Sequence, residues 1–177
     1  MEDTIRRVIE AAMARNLPFL LIGGHAVILL GFARNTIDID LLVPIMRRSA
    51  WLDLMRELGF RFYHGTGAFA QFEPEDKSVT SVDLMFVDDH TWNVLSEAPI
   101  TKALAGHEVR LPRPEHLVAL KLHAAKGPDR SKPESDWEDI RQIMQICGLD
   151  IVATEFRAIV LRHGGEEAVR RIESFRK

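Results

Sequence analysis

Two acids in the segment Thr36-Ile37-Asp38-Ile39-Asp40-Leu41-Leu42-Val43 are the residues best placed to do chemistry. Apolar residues and acids alternate before the run turns wholly apolar, the pattern of a strand. Strand side chains at i and i+2 point the same way, roughly 7 Å apart at a rise of about 3.4 Å per residue. Asp38 and Asp40 therefore share one face, and Ile37, Ile39 and Leu41 share the other. Neighbouring carboxylates repel unless water or a cation screens them. Magnesium is the natural screen, because hard cations take oxygen ligands and keep positions open for substrate phosphates. A third acid, Asp83, sits in the apolar run Ser81-Val82-Asp83-Leu84-Met85-Phe86-Val87. Were that strand to lie beside the first, two of the acids would bind magnesium and the third would also accept a proton from an attacking hydroxyl. A solvated strand position is the bland reading of Asp83.

Ahead of the acids, Gly23-Gly24 ends the apolar run Pro18 to Ile22 and opens a second through Leu30. A glycine turn feeding a helix start lets backbone N–H groups approach phosphate oxygens, and the helix dipole favours negative charge there. A tight turn without function is the alternative.

The elements that must position these residues are legible in outline. Ile5, Val8, Ile9, Ala12 and Met13 recur at helical spacing, with Asn16 as a stop. Pro18 to Ile22 reads as a short buried strand, Gly24 to Leu30 as a helix, and Trp51 to Leu58 as an amphipathic helix closed by Gly59. Phe60 to His64 and Ala68 to Phe72 form a hairpin around Gly65-Thr66-Gly67, followed by a polar turn from Glu73 to Lys77. Thr80 to Val87 is a strand, a short helix follows near Thr91 to Glu97, and 100–104 with 107–111 make a second hairpin. Beyond Pro112 the pattern is helical. Pro114 opens one helix and Gly127-Pro128 ends it. Ser135 with Glu138 reads as a capping box for the next. Two last helices, Ile151 to Arg162 and Glu166 to Arg176, are split by Gly164-Gly165. The expected class is mixed α/β (α+β): a core over 1–112 and a helical portion over 113–177 packed on it as one compact unit.

At 177 residues and 46% apolar composition the chain can bury a sizeable core. No apolar run reaches the roughly 18 residues of a membrane span. The acidic start Met1-Glu2-Asp3-Thr4 is no secretory signal, and the lone Cys147 forms no internal disulfide. A cytoplasmic protein without a membrane partner is expected. Residues 1–99 hold 9 Lys/Arg against 14 Asp/Glu, a balance of −5, and residues 100–177 hold 14 against 12, a balance of +2. That distribution argues against a sequence-reading DNA binder. His64, His107, His116 and His123 show no ligand spacing with acids.

Taken together, Gly23-Gly24-His25-Ala26-Val27, Gly31, Arg34, Thr36, Asp38-Ile39-Asp40-Leu41 and Asp83 resemble the nucleotidyltransferase superfamily signature. Pro114 to Ala124, with Lys121, and Asp136-Trp137-Glu138-Asp139-Ile140 are similar to the lysine helix and acidic helix start of the small abortive-infection (type IV toxin) branch. The match runs from about residue 18 to 145. It implies a nucleotidyltransferase-like mixed β-sheet flanked by helices, and transfer of a nucleoside monophosphate from an NTP to an acceptor. By the same resemblance Asp38, Asp40 and Asp83 ligate Mg2+ (or Mn2+), with Asp83 the third ligand or the base. Gly23, Gly24, Arg34 and Thr36 line the nucleotide, Lys121 contacts phosphate, and Asp136 or Asp139 is its acidic partner. The second residue of the glycine pair is often serine in the family; here it is Gly24. An RNA acceptor such as tRNA, or a protein, within a toxin–antitoxin pair with its cognate antitoxin is one implied setting. A small hydroxylated molecule such as an antibiotic is another, and a non-catalytic nucleotide-binding module a third.

Several residues keep a second reading. Lys121 has the helical spacing of a snorkelling surface lysine. Asp136 and Asp139 also suit a helix first turn without function. Arg34 either steers phosphate or is solvated, His25 either faces substrate or is a hydrogen-bonded packing histidine, and the basic loop around Lys126, Arg130 and Lys132 either touches phosphates or is solvated.

Overall fold

The computed structural model describes residues 2–74, 80–126 and 133–175. Helix α1 (Glu2–Ala14) buries the stripe Ile5, Val8, Ile9 and Ala12, and the chain leaves it through Asn16 in left-handed backbone, φ 51°. Strand β1 (Leu20–Leu21) is shorter than the apolar run that contains it. It pairs only with Leu41 and Leu42, and the Ile22 amide then bonds the Asp40 carbonyl at 3.0 Å as the chain turns into α2 (Gly23–Leu30). There follow β2 (Ile39–Pro44), a single 3-10 turn (Ile45–Arg47) and α3 (Arg48–Glu57). The hairpin β3 (Phe60–Gly65) and β4 (Phe69–Pro74), then β5 (Val82–Val87) and α4 (Asp89–Ser96), come next. A second hairpin, β6 (Ile100–Leu104) and β7 (His107–Leu111), precedes α5 (Pro114–Ala125), α6 (Pro133–Cys147) and α7 (Thr154–Ser174).

The chain divides into two compact units, one of Met1–Ala26 with Arg34–Pro112, the other of Val27–Ala33 with Arg113–Lys177. In the first, five strands lie in the order β1-β2-β5-β4-β3, with β6 and β7 in a separate pair. Only the β2–β5 pairing is parallel; the other pairings of the five-stranded sheet are antiparallel. Val82, Leu84 and Phe86 of β5 and Ala70 and Phe72 of β4 are buried, while the alternate residues of both strands are half-exposed. The sheet thus has a packed face and a more open one. In the second unit α5, α6 and α7 pack together, burying Leu117, Val118, Leu122, Ile140, Ile143, Phe156 and Val160.

Two expectations need correction. The strand carrying the acids starts at Ile39, not Thr36. Ile37 is 76% exposed rather than packed beside Ile39, and Asp38 sits in a bend just before the strand. Register explains this: β2 pairs β5 from Ile39↔Val82 onward, so among the described residues the alternation upstream has no strand partner to enforce it. Ser135 lies inside α6, which begins at Pro133, so it does not cap it. The expected break at Gly164-Gly165 is present: Gly165, at φ 75°, ψ −175°, leaves helical geometry and divides α7 into two helical stretches. Arg130 and Lys132, the end of the polar turn after Pro74, and the Gly127-Pro128 stop lie outside the described residues. Among the described residues no helix is long and apolar enough to cross a membrane.

Candidate active site

Asp40 and Asp83 are register partners on the adjacent parallel strands β2 and β5. Neighbouring residues in register share a face of the sheet, so the two carboxylates project together from the more open side. Asp38 precedes β2 and is exposed; Asp40 and Asp83 are half-buried. The structure adds Gln71 of β4, which lies opposite Asp83 and donates from Nε2 to its Oδ2 at 2.8 Å. Burial holds the Asp83 carboxyl above its ordinary range; the Gln71 bond opposes that rise and repulsion from Asp38 adds to it. Tyr63 of β3, 48% exposed, also feels this charge. Its phenol is pushed up by burial and then by Asp83 and Asp38. Gln71 and Tyr63 escaped sequence reading. The only available signal was Gln71 as the polar member of the alternation Phe69-Ala70-Gln71-Phe72.

The raised Asp83 carboxyl has a consequence for stability. An acid whose native pKa exceeds its unfolded value binds more protons when folded, so stability falls as pH rises between the two values. Asp83→Asn keeps an oxygen for Gln71 but does not titrate. Its stability should fall less than wild type as pH climbs from the ordinary value of 3.8 and exceed wild type near neutrality. Urea midpoints across that range would check this; coincident curves for the two proteins would refute it.

The glycine pair is dictated by what stands against it. Gly23 has φ +64°, and a Cβ there would lie 1.9 Å from Asp40 Oδ2. Glycine is required twice, by backbone conformation and by the Asp40 carboxylate pressed against its Cα. At Gly24 the obstacle is Thr36, whose Oγ1 would be 2.4 Å and Cβ 2.8 Å from an added Cβ. The space in which a serine side chain would begin is thus held by a threonine from a different segment. Gly24→Ser should cost roughly 1–3 kcal/mol of stability, as overpacking does, and much of that loss should return when Thr36→Gly is combined with it. A urea-denaturation double-mutant cycle reads the coupling; strictly additive losses would show that the two residues do not compete.

His25 follows in the first turn of α2 and is 5% exposed. Its burial is that of a packing histidine, but its Nε2 is buried without a hydrogen-bond partner among the described residues. Burial and then Arg34 lower its pKa against the pull of Asp38, which keeps the ring neutral. Arg34 is half-buried and donates from Nε to the Asn35 carbonyl at 3.2 Å. The first unit therefore brings Gly23, Gly24, Arg34, Thr36, Asp38, Asp40 and Asp83 into one neighbourhood.

Lys121, Asp136 and Asp139 meet in the second unit. Lys121 Nζ lies 3.0 Å from Asp136 Oδ1 and 2.8 Å from Asp139 Oδ2. The lysine side chain is only 12% exposed and the carboxylates 0% and 2%. The lysine does not snorkel; Asp136 does lie in the first turn of α6, and both acids are buried against the lysine, so a structural role for the three stands beside the functional one.

Among the described residues no three His, Cys, Asp or Glu side chains stand ready-grouped around a metal position. The donors nonetheless suit a hard cation. Asp38, Asp40 and Asp83 offer only carboxylate oxygens, and the repulsion felt by Asp83 is what a divalent ion would relieve. Binding would have to draw the three together, and Gln71, bonded to Oδ2 alone, would orient Asp83 while its other oxygen met the ion.

No protein-family model matches the chain, and no curated protein is similar to it in sequence. Solved structures are more informative. The solution structure of the antibiotic-resistance factor ANT(2'')-Ia superposes with a TM-score of 0.71 at 20% identity, over 99% of this chain and 97% of that one. An antigenic nucleotidyltransferase-like protein from Paracoccidioides brasiliensis gives 0.57 at 18% identity, over 95% and 92%. The lincosamide antibiotic adenylyltransferase LnuA with lincomycin bound gives 0.57 at 15%, over 82% and 98%. The fold is nucleotidyltransferase-like, a mixed five-stranded sheet together with helices. At these identities the likeness is one of fold.

Proposed function

We propose that the protein is a magnesium-dependent nucleotidyltransferase that moves a nucleoside monophosphate from a triphosphate to a hydroxyl of a compact acceptor. The observation that carries this reading is Asp40 and Asp83 in register on parallel strands, with the Gly23 turn pressed against Asp40. In the reaction an acceptor oxygen bonds to the α-phosphorus, the bond to the β-phosphate bridging oxygen breaks, and pyrophosphate leaves. Asp38, Asp40 and Asp83 would hold the ion, which when bound supplies positive charge beside the phosphates and orients them. The backbone amides at the start of α2, free of side chains at Gly23 and Gly24, would cradle phosphate oxygens, with Arg34 and the Thr36 hydroxyl beside them. Asp83, with its raised pKa, suits the proton of the attacking hydroxyl. Asp136 and Asp139 engage Lys121 through two of the three donors of its ammonium group, and a phosphate oxygen would take the third. Asp136 and Asp139 therefore act by positioning it.

A small hydroxylated cation is the favoured acceptor. The −5 balance of residues 1–99 attracts positive charge. ANT(2'')-Ia, similar in fold, has been solved with adenylyl-2''-tobramycin. An RNA or protein acceptor in a toxin–antitoxin pair remains the rival. The test is incubation with each α-labelled triphosphate and Mg2+, Mn2+ or EDTA against aminoglycosides and lincosamides, tRNA, and protein. Label should enter the small-molecule fraction and vanish with EDTA. Label in RNA or protein would give the rival its case, and Mg2+-dependent nucleotide binding with no pyrophosphate released from any pool would mean a binding module.

A further inference from the structure

The sheet order sets the acids between two different neighbourhoods. On the β1 side stands the Gly23 turn, pressed against Asp40. On the other side β4 and then β3 continue the row in register: Asp83 faces Gln71, and Gln71 faces His64. Between Phe62 and His64 the register slips by one residue, so Tyr63 and His64 together stand against Gln71. A bulge of this kind re-aims a side chain, and bulges gather beside active sites. His64 packs on Phe69, with ring centroids 5.4 Å apart. Tyr63 instead feels the acids: after burial, Asp83 and Asp38 hold its phenol above the ordinary value. Two strand spacings, roughly 10 Å, separate β3 from β5, which leaves room for one sugar ring over Gln71. Tyr63 is 48% exposed and Gln71 half-buried, so a ligand reaches both.

We propose that Tyr63 selects the acceptor, taking an ammonium group of an amino sugar on its ring while the reacting hydroxyl meets Asp83 across Gln71. This rests on the nucleotidyltransferase reading and adds to it a specificity-determining residue. In-line displacement puts the attacking oxygen opposite the leaving pyrophosphate. With the phosphates at the glycine turn on the β1 side, the acceptor enters from the side of β4 and β3, where Tyr63 stands. Charge sets the class of ligand. Asp38, Asp40 and Asp83 share one neighbourhood, and Arg61, the cation nearest Tyr63 in sequence, is engaged by Glu73 opposite it. An ammonium between the Tyr63 ring and Asp83 is attracted by the ring face and by the carboxylate together. Gln71 gives Nε2 to Asp83, and its carbonyl oxygen is an acceptor for a second ammonium or a hydroxyl. A donor nucleobase could stack on the same ring, but it brings no positive charge to answer the acids.

Tyr63 is the single tyrosine of the chain, so biosynthetic meta-fluorotyrosine puts one fluorine-NMR probe at this position. The full chain is titrated with tobramycin, with fully N-acetylated tobramycin, and with α,β-methylene-ATP and Mg2+. Tobramycin should move the resonance saturably, and the other two should leave it nearly in place. In steady-state assays Tyr63→Leu should raise KM for tobramycin about fivefold or more while kcat changes less than about twofold. Tyr63→Phe, which keeps the ring, should behave as wild type. Transfer to tobramycin with an unmoved resonance and an unchanged KM in Tyr63→Leu would overturn the proposal and leave the nucleotidyltransferase reading standing. A saturable shift without transfer from any triphosphate would do the reverse, keeping the recognition and removing the reaction. Neither shift nor transfer would end both. A resonance that answers the nucleotide alone, or the acetylated sugar as strongly as tobramycin, would assign the ring to an uncharged ligand and overturn the proposal.

Discussion

Asp40→Asn should lower nucleotidyl transfer by about a thousandfold while leaving the fold intact. Asparagine adds no atom against Gly23, so the close approach of residue 40 to the glycine turn is kept. What is lost is one negative charge at the position where a cation and the triphosphate are to be held. Removing a single group that acts on developing charge costs on the order of 10²–10³ in rate, and a carboxylate that also anchors the metal sits at the upper end or beyond. Gly23→Ala is the instructive contrast, because its Cβ would stand 1.9 Å from Asp40 Oδ2 in a backbone at φ +64°. That variant should lose stability and turnover together. Single-turnover pyrophosphate release with Mg2+, read beside thermal melts, separates the two. Transfer persisting in Asp40→Asn would remove the acid pair from the chemistry.

The second large effect concerns Lys121. Replacing it by methionine leaves Asp136 and Asp139, 0% and 2% exposed, without the cation between them. Removing one partner from a buried ion pair costs about 3–5 kcal/mol, because the remaining charge stays desolvated. Lys121→Met should therefore shift the urea midpoint by a large fraction of the stability of a domain this size. Replacing all three residues with apolar ones should recover part of the loss. An unchanged midpoint with lowered turnover would give Lys121 to the phosphates instead of to the packing of α5 on α6.

Much of the fold was legible because local patterns and tertiary needs agree. The stripe of α1, the second hairpin at 100–111 and the Pro114 helix start all appear where periodicity and turn chemistry place them. Errors fell where partners decide. Alternation from Thr36 to Asp38 satisfies the strand pattern, yet with no strand to pair with among the described residues they stay outside the sheet and leave Asp38 on a bend. Ser135 met the capping rule by spacing, but Pro133 begins the helix before it. Asp136 is a first-turn acid as its spacing suggests, but spacing along a helix cannot report that it and Asp139 lie on the covered face, buried against Lys121. Gln71 and Tyr63 were missed because their relevance comes wholly from strand order.

By itself the sequence determined which residue types could perform metal-assisted phosphate chemistry, since carboxylates at i and i+2 and a glycine pair carry that capacity in their own covalent structure. Only the tertiary structure decided that Asp83 stands opposite Asp40, because a parallel pairing joins residues 43 positions apart and no local energy selects its register. It also decided why residue 24 is glycine: the space beside it is filled by Thr36, and filled space is a property of packing rather than of sequence.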